Sequence, residues 1–261
     1  MINHDGFWAP APDGPRVGDE DVHVWRIPLD QPKGVVGRLR RVLSEDERER
    51  ADRFRMELHR DHFTAGRGVL RQILGGYLGV GADALVFRKG TFGKPGLAGA
   101  EGESSIRFNL THSGGLALLA VTSRREVGVD IEQVRPMDDA EQIITRFFSR
   151  KEQADFLSLP RGQRTAAFFR GWTRKEAYMK ATGEGFALAL DRFDVSISPD
   201  EPARLLHVEG RPGEPERWSL ADLAPGPGFQ GALVVEASGW RLTGFQFDAD
   251  KSLLRLEHET G

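Results

Sequence analysis

Residues 127–132 have the sequence VGVDIE, in which apolar side chains alternate with Gly128 and two acids. Because successive side chains of a strand point to opposite faces, the pattern predicts a strand with Asp130 and Glu132 together on one face. Such carboxylates lie about 7 Å apart, and at an effective dielectric of about 20 their repulsion is about 2 kcal/mol. A cation between them would reverse this cost. The spacing leaves open the alternative of a solvated acidic face.

The chain contains no cysteine, which excludes disulfides, a thiolate nucleophile and any cysteine-bound metal. A metal must therefore be bound by oxygen or imidazole. Residues 127–132 also lack the histidine spacing of a zinc site. Carboxylate oxygens that leave positions open for water and phosphate suit Mg²⁺ best, so the acidic pair indicates a magnesium site.

Short apolar runs separated by glycine-rich turns lie on both sides of this strand in the sequence, and they predict antiparallel sheets. The runs before it are LVFR (85–88), IRFNLT (106–111) and LALLAVT (116–122). The runs after it are FDVSI (193–197), ARLLHV (203–208), GALVVEA (231–237) and WRLTGFQF (240–247).

Two helical regions alternate with these groups of strands. Each contains a capping box, in which a serine precedes a glutamate by three residues: Ser44 with Glu47, and Ser149 with Glu152. The repeated order predicts an α+β fold of two similar pseudo-symmetric halves, each a small antiparallel sheet packed with helices. The predicted segments are an irregular lead-in (1–20), a short strand (22–27), helices at 44–56 and 60–78, and a second helical region from 138 that includes 163–181.

Composition excludes several functional classes. A formal net charge of -3 argues against general affinity for nucleic acid, which requires a basic surface. The chain does not start with basic residues followed by an apolar segment, and no apolar run approaches the roughly 20 residues that cross a bilayer. We therefore expect a cytoplasmic protein that binds neither nucleic acid nor membranes.

The second helical region carries one acid and one base on a single face. Trp172, Glu176 and Lys180 follow one another at four-residue spacing, which aligns them along the helix. An isolated pair of this kind is usually an exposed ion pair worth about 0.3–0.5 kcal/mol, and the spacing alone favours that interpretation.

Two further segments could bind a ligand. Thr111, His112 and Ser113 end a predicted strand, and the ends of sheets often carry binding residues. Lys94 lies on a turn stiffened by Pro95, after a helix that carries Arg67 and Arg71 one turn apart, so these cations could bind phosphates. A structural histidine, a turn lysine and a solvated basic helix face are the alternatives.

Four motifs occur in an order that resembles the 4′-phosphopantetheinyl transferase superfamily, specifically its Sfp-type branch. The similarity runs from about Arg53 to Val195. It implies two similar α+β halves in one chain, with a coenzyme A donor at their interface. The motifs are GKPG (93–96), FNLTHSGG (108–115), GVDIE (128–132) and WTRKEAYMKATGEG (172–185).

The resemblance also implies a division of roles. Asp130, Glu132 and Glu176 would hold Mg²⁺ against the donor pyrophosphate, and Lys180 would stabilise charge on the leaving group. Glu176 would accept the serine proton, directly or through a metal-bound water, with Glu132 as the alternative base. These four residues are the predicted catalytic set.

The predicted donor site extends over both halves, with coenzyme A bound by residues 1–125 and the metal and catalytic helix in residues 126–261. Basic contacts nearer the N-terminus are left unassigned among Arg50, Arg53 and Arg60. The residues that resemble the family's coenzyme A contacts are Arg67, Lys94, Pro95, Thr111, His112, Lys175 and Lys180.

The implied reaction is transfer of 4′-phosphopantetheine from coenzyme A to a serine of an acyl or peptidyl carrier protein, with release of adenosine 3′,5′-bisphosphate. We expect a monomer that meets its carrier transiently. Two alternatives are a magnesium-dependent pyrophosphohydrolase acting on coenzyme A or nucleotides, and a non-catalytic relative that binds coenzyme A or carriers.

Overall fold

A computed structural model describes residues 7–249 of the chain. Within this range no helix combines the length and the apolar character needed to cross a membrane. The strands are β1 (Trp8–Pro10), β2 (Asp21–Pro28), β3 (Phe87–Lys89), β4 (Pro95–Leu97), β5 (Ile106–Ser113), β6 (Leu116–Ser123), β7 (Val127–Gln133), β8 (Phe193–Val195), β9 (Leu205–Val208), β10 (Trp218–Leu223), β11 (Phe229–Glu236) and β12 (Arg241–Gln246). The helices are α1 (Lys33–Arg41), α2 (Glu45–Asp52), α3 (Glu57–Leu78), α4 (Ala140–Phe147), α5 (Arg150–Ser158), α6 (Arg161–Thr182) and α7 (Glu214–Arg217).

The same order of elements occurs twice along the chain. Strand β2, helices α1 to α3, hairpin β3–β4 and strands β5 and β6 are followed by β7, α4 to α6, hairpin β8–β9 and strands β10 and β11. The strands pair in equivalent antiparallel orders, β2-β6-β5 and β7-β11-β10. The predicted α+β class with two similar halves is therefore confirmed.

Each half contains a short helix that begins with a capping box and a long helix that ends at a glycine. Both capping boxes form, because the side chains of Glu47 and Glu152 accept hydrogen bonds from the backbone N–H groups of Ser44 and Ser149. The short helices that they start precede α3 and α6, which have 22 residues each and end at a glycine with φ near +70°. A residue with a side chain is strained in that left-handed conformation, so glycine favours the stop.

The two halves stack as four layers, with helices outside and sheets inside. Val127, Val129 and Ile131 of β7 pack against Val22 and Val24 of β2, which forms the core between the sheets. The outer face of the first sheet packs on α1 and α3, and the outer face of the second packs on α4 to α6. The opposite face of β7, which carries its acids, therefore lies against α6.

The first sheet is mixed, not purely antiparallel as predicted. Strand β12 pairs in parallel with β2, and β1 pairs in parallel with β12. The expected division after residue 125 gave β12 to the second half, and residues 1–20 were expected to be irregular. The structure places β1 within the lead-in, and β12 joins the first sheet because the free edge of β2 needs hydrogen-bond partners, which β12 supplies together with the buried Phe245. The division near residue 125 stays a prediction.

Gly128 allows the acidic face of β7 to approach α6 closely. A Cβ atom at this position would collide with the carbonyl oxygen of Ala177 and the amide of Ala181. Only a residue without a side chain fits such an approach of two backbones. Gly128 therefore sets the distance between Asp130, two residues along β7, and the catalytic face predicted for α6.

Candidate active site

The edges of the two sheets meet through side chains of β5. Asn109 accepts a hydrogen bond through Oδ1 from the backbone N–H of Val129, at 2.9 Å. Thr111 Oγ1 donates to Asp130 at 3.1 Å, and Ser113 Oγ donates to Glu132 at 2.9 Å. Because these β5 residues are two apart, one polar face of the strand holds both acids of β7 in place.

Asp130 is buried, with 3% of its surface exposed, so the alternative of a solvated acidic face is wrong. Its Oδ1 atom accepts hydrogen bonds from Thr111 and from Lys180 Nζ, the latter at 2.5 Å. Its Oδ2 atom is buried and has no hydrogen-bond partner among residues 7–249. A buried carboxylate oxygen without a partner is costly unless a ligand satisfies it.

Glu176 and Lys180 extend from α6 toward the acids of β7. Burial raises the pKa of Glu176, and the nearby negative charges of Asp130 and Glu132 act in the same direction. Burial likewise raises the pKa of Glu132 and of Asp130, although Lys180 opposes the shift at each. The three acids and one ammonium therefore form a single electrostatic cluster where the two halves meet.

As placed in the described part of the chain, no three carboxylate or imidazole groups are arranged to hold a metal ion. The donor chemistry of the cluster nevertheless fits Mg²⁺, because it offers hard oxygen ligands and the unpartnered Oδ2 of Asp130. Metal binding by Asp130, Glu132 and Glu176 stays a prediction.

A cavity of 250 Å³ adjoins the cluster. Glu176 and Lys180 of α6 lie on one side, and the turn of hairpin β3–β4 lies on the other. Leu110 and Met179 give it apolar walls between these charged groups. Such a combination suits a ligand with a flat apolar group attached to phosphates.

Comparison with known proteins places this geometry in a family. Sequence models described as "4'-phosphopantetheinyl transferase superfamily" and "4'-phosphopantetheinyl transferase, N-terminal" match residues 126–234 and 34–124. The 4′-phosphopantetheinyl transferase HetI of Nostoc sp. is 44% identical over 241 residues, which cover 92% of this chain and 98% of that protein. The chain belongs to the 4′-phosphopantetheinyl transferase superfamily.

More distant relatives support the Sfp type. The transferase psf-1 of Bacillus pumilus is 34% identical over 68% of this chain and 75% of its own length. The transferase Sfp of Bacillus subtilis is 28% identical over 66% of this chain and 74% of its own length. The chain is thus an Sfp-type 4′-phosphopantetheinyl transferase, as its motifs predicted.

Lys175 of this transferase does not line the cavity of 250 Å³, so the structure gives no support to its predicted role as a coenzyme A contact. Its side chain is fully buried on the core side of α6. Its ammonium forms an ion pair with Glu152 at 2.8 Å and donates to the carbonyl oxygens of Leu190 and Phe193. Adjacent residues of a helix point about 100° apart, so Lys175 is buried while Glu176 faces the acids of β7.

The side chain of Arg67 is also bound by other protein groups of the transferase. Its guanidinium is paired with the buried Glu47 and lies over the ring of Phe87, 4.8 Å from the centroid. Arg71 bonds to the other oxygen of Glu47 and to two backbone carbonyls. The structure therefore uses this predicted phosphate pair to hold α2, α3 and hairpin β3–β4 together.

Pro95 lines the cavity of 250 Å³, whereas His112 does not. His112 lies beside Thr111 at the exposed end of β5. Partial burial lowers the pKa of His112, and the positive charges of Lys180 and His62 add to the effect. A bound phosphate would oppose these charges and favour the cationic ring, so its predicted role stays open to test.

Two residues of the transferase site were missed by the sequence analysis. Asn109 ties the two sheets together, and Glu126 binds Lys94 at 2.8 Å. The first could have been found, because the polar residues at 109, 111 and 113 recur with a period of two and so share one face of the strand. Nothing in the local sequence of Glu126 points to a partner 32 residues away.

Proposed function

We propose that the chain transfers 4′-phosphopantetheine from coenzyme A to a serine hydroxyl of an acyl or peptidyl carrier protein. The observation that supports this reaction best is the meeting of Asp130, Glu132, Glu176 and Lys180 beside a cavity between the two halves. The relatives named above are 4′-phosphopantetheinyl transferases, and they do not favour the hydrolase or the non-catalytic alternative.

Magnesium would be held by Asp130, Glu132 and Glu176. When bound, it would supply charge neutralisation at the donor pyrophosphate. Thr111 and Ser113 support this assignment, because their hydroxyl groups orient two of the three carboxylates. Glu132 is half-buried at the end of β7, so part of its side chain stays accessible to a ligand.

The chemistry required of the chain itself is proton transfer and charge stabilisation. The carrier serine oxygen attacks the phosphorus that bears pantetheine, and the bond to the bridging oxygen breaks. Glu176, which lines the cavity, accepts the serine proton. Lys180 stabilises the negative charge that develops on the departing adenosine 3′,5′-bisphosphate.

The donor would lie across both halves, which we propose divide near residue 125. Its nucleotide base would occupy the cavity of 250 Å³ against Pro95, Leu110 and Met179. Its phosphates would then point toward Lys180, with His112 and Thr111 at the neighbouring strand end. The expected monomeric state and cytoplasmic location stay predictions.

The decisive experiment is incubation of the pure protein with coenzyme A, Mg²⁺ and a panel of unmodified carriers, followed by intact mass measurement of each carrier. At least one carrier should gain the mass of one phosphopantetheine, and EDTA should abolish the gain. Cleavage of coenzyme A without any carrier would indicate the pyrophosphohydrolase instead. A folded protein that modifies no carrier and cleaves no donor would contradict the proposal.

Glu176→Gln tests the proton acceptor. The amide keeps the size of the side chain but cannot take the serine proton, so kcat should fall about 10²–10⁴-fold, the usual contribution of a general base. Initial rates of carrier modification at saturating coenzyme A measure the effect. Glu184→Gln serves as the control and should retain activity. Glu184 follows the end of α6, the helix that carries Glu176, and its carboxylate is paired with Arg211. Wild-type kcat in Glu176→Gln would leave Glu132 as the base.

A further inference from the structure

Lys94 was expected to contact coenzyme A, yet the structure shows its ammonium fully engaged by protein atoms. Nζ donates to Glu126 Oε2 at 2.8 Å and to the carbonyl oxygens of Val127 and Ala181 at 3.1 Å each. An ammonium has three N–H donors, and all three find acceptors here. Lys94 therefore reaches from the turn of hairpin β3–β4 to elements of the other half.

The three acceptors lie at the start of β7 and at the end of α6, the two elements that carry the predicted catalytic residues. Glu126 and Val127 begin the strand that carries Asp130, and Ala181 lies in the last turn of the helix that carries Glu176 and Lys180. Carbonyl oxygens at a helix C-terminus lack partners within the helix and attract cations. The Lys94 ammonium thus binds the start of β7 and the end of α6 together.

Lys94 also lines two cavities. These are the proposed donor cavity of 250 Å³ and a cavity of 570 Å³, and Lys94, Pro95 and Gly183 line both. A Cβ atom on Gly183 would lie 3.5 Å from Lys94 Cδ, so the aliphatic stem packs on the residue that ends α6.

We propose that Lys94 is a positioning residue, a latch that fixes hairpin β3–β4 against β7 and α6 and so completes the wall of the donor cavity. The inference rests on the proposed function, because it concerns the binding of coenzyme A in that cavity. A latch changes the affinity for coenzyme A by holding the hairpin in place. A direct contact would change the affinity by binding a phosphate of coenzyme A.

The main variant is Lys94→Met, which keeps the stem and removes the ammonium. The KM for coenzyme A should rise about tenfold, equivalent to about 1.4 kcal/mol, while kcat stays close to that of the wild type. The matched control is Lys89→Met on the same hairpin. The Lys89 side chain is exposed, and no hydrogen bond or ion pair of it occurs within residues 7–249, so its KM should not change.

Two comparisons separate the latch from a phosphate contact. Coenzyme A lacking its 3′-phosphate should show the same rise in KM with Lys94→Met, because the latch does not touch that group. Glu126→Gln removes the negative charge that binds Lys94. It should therefore also raise the KM for coenzyme A. The proposal would be overturned if Lys94→Met left the KM unchanged for coenzyme A lacking its 3′-phosphate. It would also be overturned if Lys94→Met lowered kcat and left the KM unchanged.

Hydrogen–deuterium exchange provides a readout that does not depend on activity. Peptides covering residues 87–97 should exchange faster in Lys94→Met and Glu126→Gln than in the wild type and in Lys89→Met. Unchanged exchange in both latch variants would also overturn the proposal. If the wild type modified no carrier, the proposed function would fail, and the exchange data would still decide whether the latch exists.

Discussion

Replacing Asp130 with Asn is expected to lower kcat/KM for carrier modification by about 10³-fold, which corresponds to about 4 kcal/mol of transition-state stabilisation. Asp130 is the buried member of the acidic cluster and the one with an unpartnered oxygen. An amide offers a weaker metal ligand and no charge. Initial rates at saturating Mg²⁺, followed by carrier mass, measure the loss.

The stability of Asp130→Asn should not fall with its activity. Burial raises the pKa of Asp130, which means that the folded state disfavours its charge, and the neutral amide removes this cost. The melting temperature should therefore stay close to that of the wild type, because the amide removes both the cost of burying the charge and the ion pair with Lys180, which is partly exposed. Asp138→Asn, at an exposed loop position before α4, is the control and should keep full activity. A metal-dependent rate in Asp130→Asn equal to that of the wild type would exclude Asp130 as a ligand.

Lys175→Met is expected to destabilise the fold by about 3–5 kcal/mol, the usual result of removing one partner of a buried ion pair. The substitution leaves the Glu152 carboxylate without its ammonium partner at a position with no exposed surface. Glu152 retains backbone hydrogen bonds from Ser149 and Val195, which limit but do not cancel the loss. Urea denaturation of the purified variant measures the free energy of unfolding.

The double variant Glu152→Gln with Lys175→Met should lose less stability than the sum of the two single variants, because removing both charges avoids an isolated buried ion. Lys151→Met provides the matched control. Lys151 forms an exposed ion pair with Asp155 on the same helix, α5, and such pairs contribute about 0–1 kcal/mol. Equal losses for Lys151→Met and Lys175→Met would show that the buried pair has no special role.

Part of the candidate site follows directly from sequence periodicity. The alternation in residues 127–132 placed Asp130 and Glu132 on one face of a strand, and β7 has that arrangement. The four-residue spacing of Glu176 and Lys180 placed them on one face of a helix, and both line the donor cavity. These predictions succeed because strand and helix geometry depend on residues that are close in the chain.

Sequence periodicity did not find the contacts of side chains whose partners are far away in the chain. Arg67 and Lys175 are basic residues in plausible ligand-binding motifs, but each pairs with a buried glutamate, 20 and 23 residues distant. Lys94 binds a carbonyl oxygen 87 residues away. The addition of β12 to the first sheet joins residues more than 200 positions apart.

The sequence by itself determined the α+β class, the repeated capping boxes, the family and the side of β7 on which the acids lie. Only the tertiary structure decided which basic residues face the donor cavity and which hold the core together. The physical reason is that a lysine or arginine has a long, flexible side chain whose direction is set by the acceptors within its reach. Those acceptors come from segments that only packing brings together.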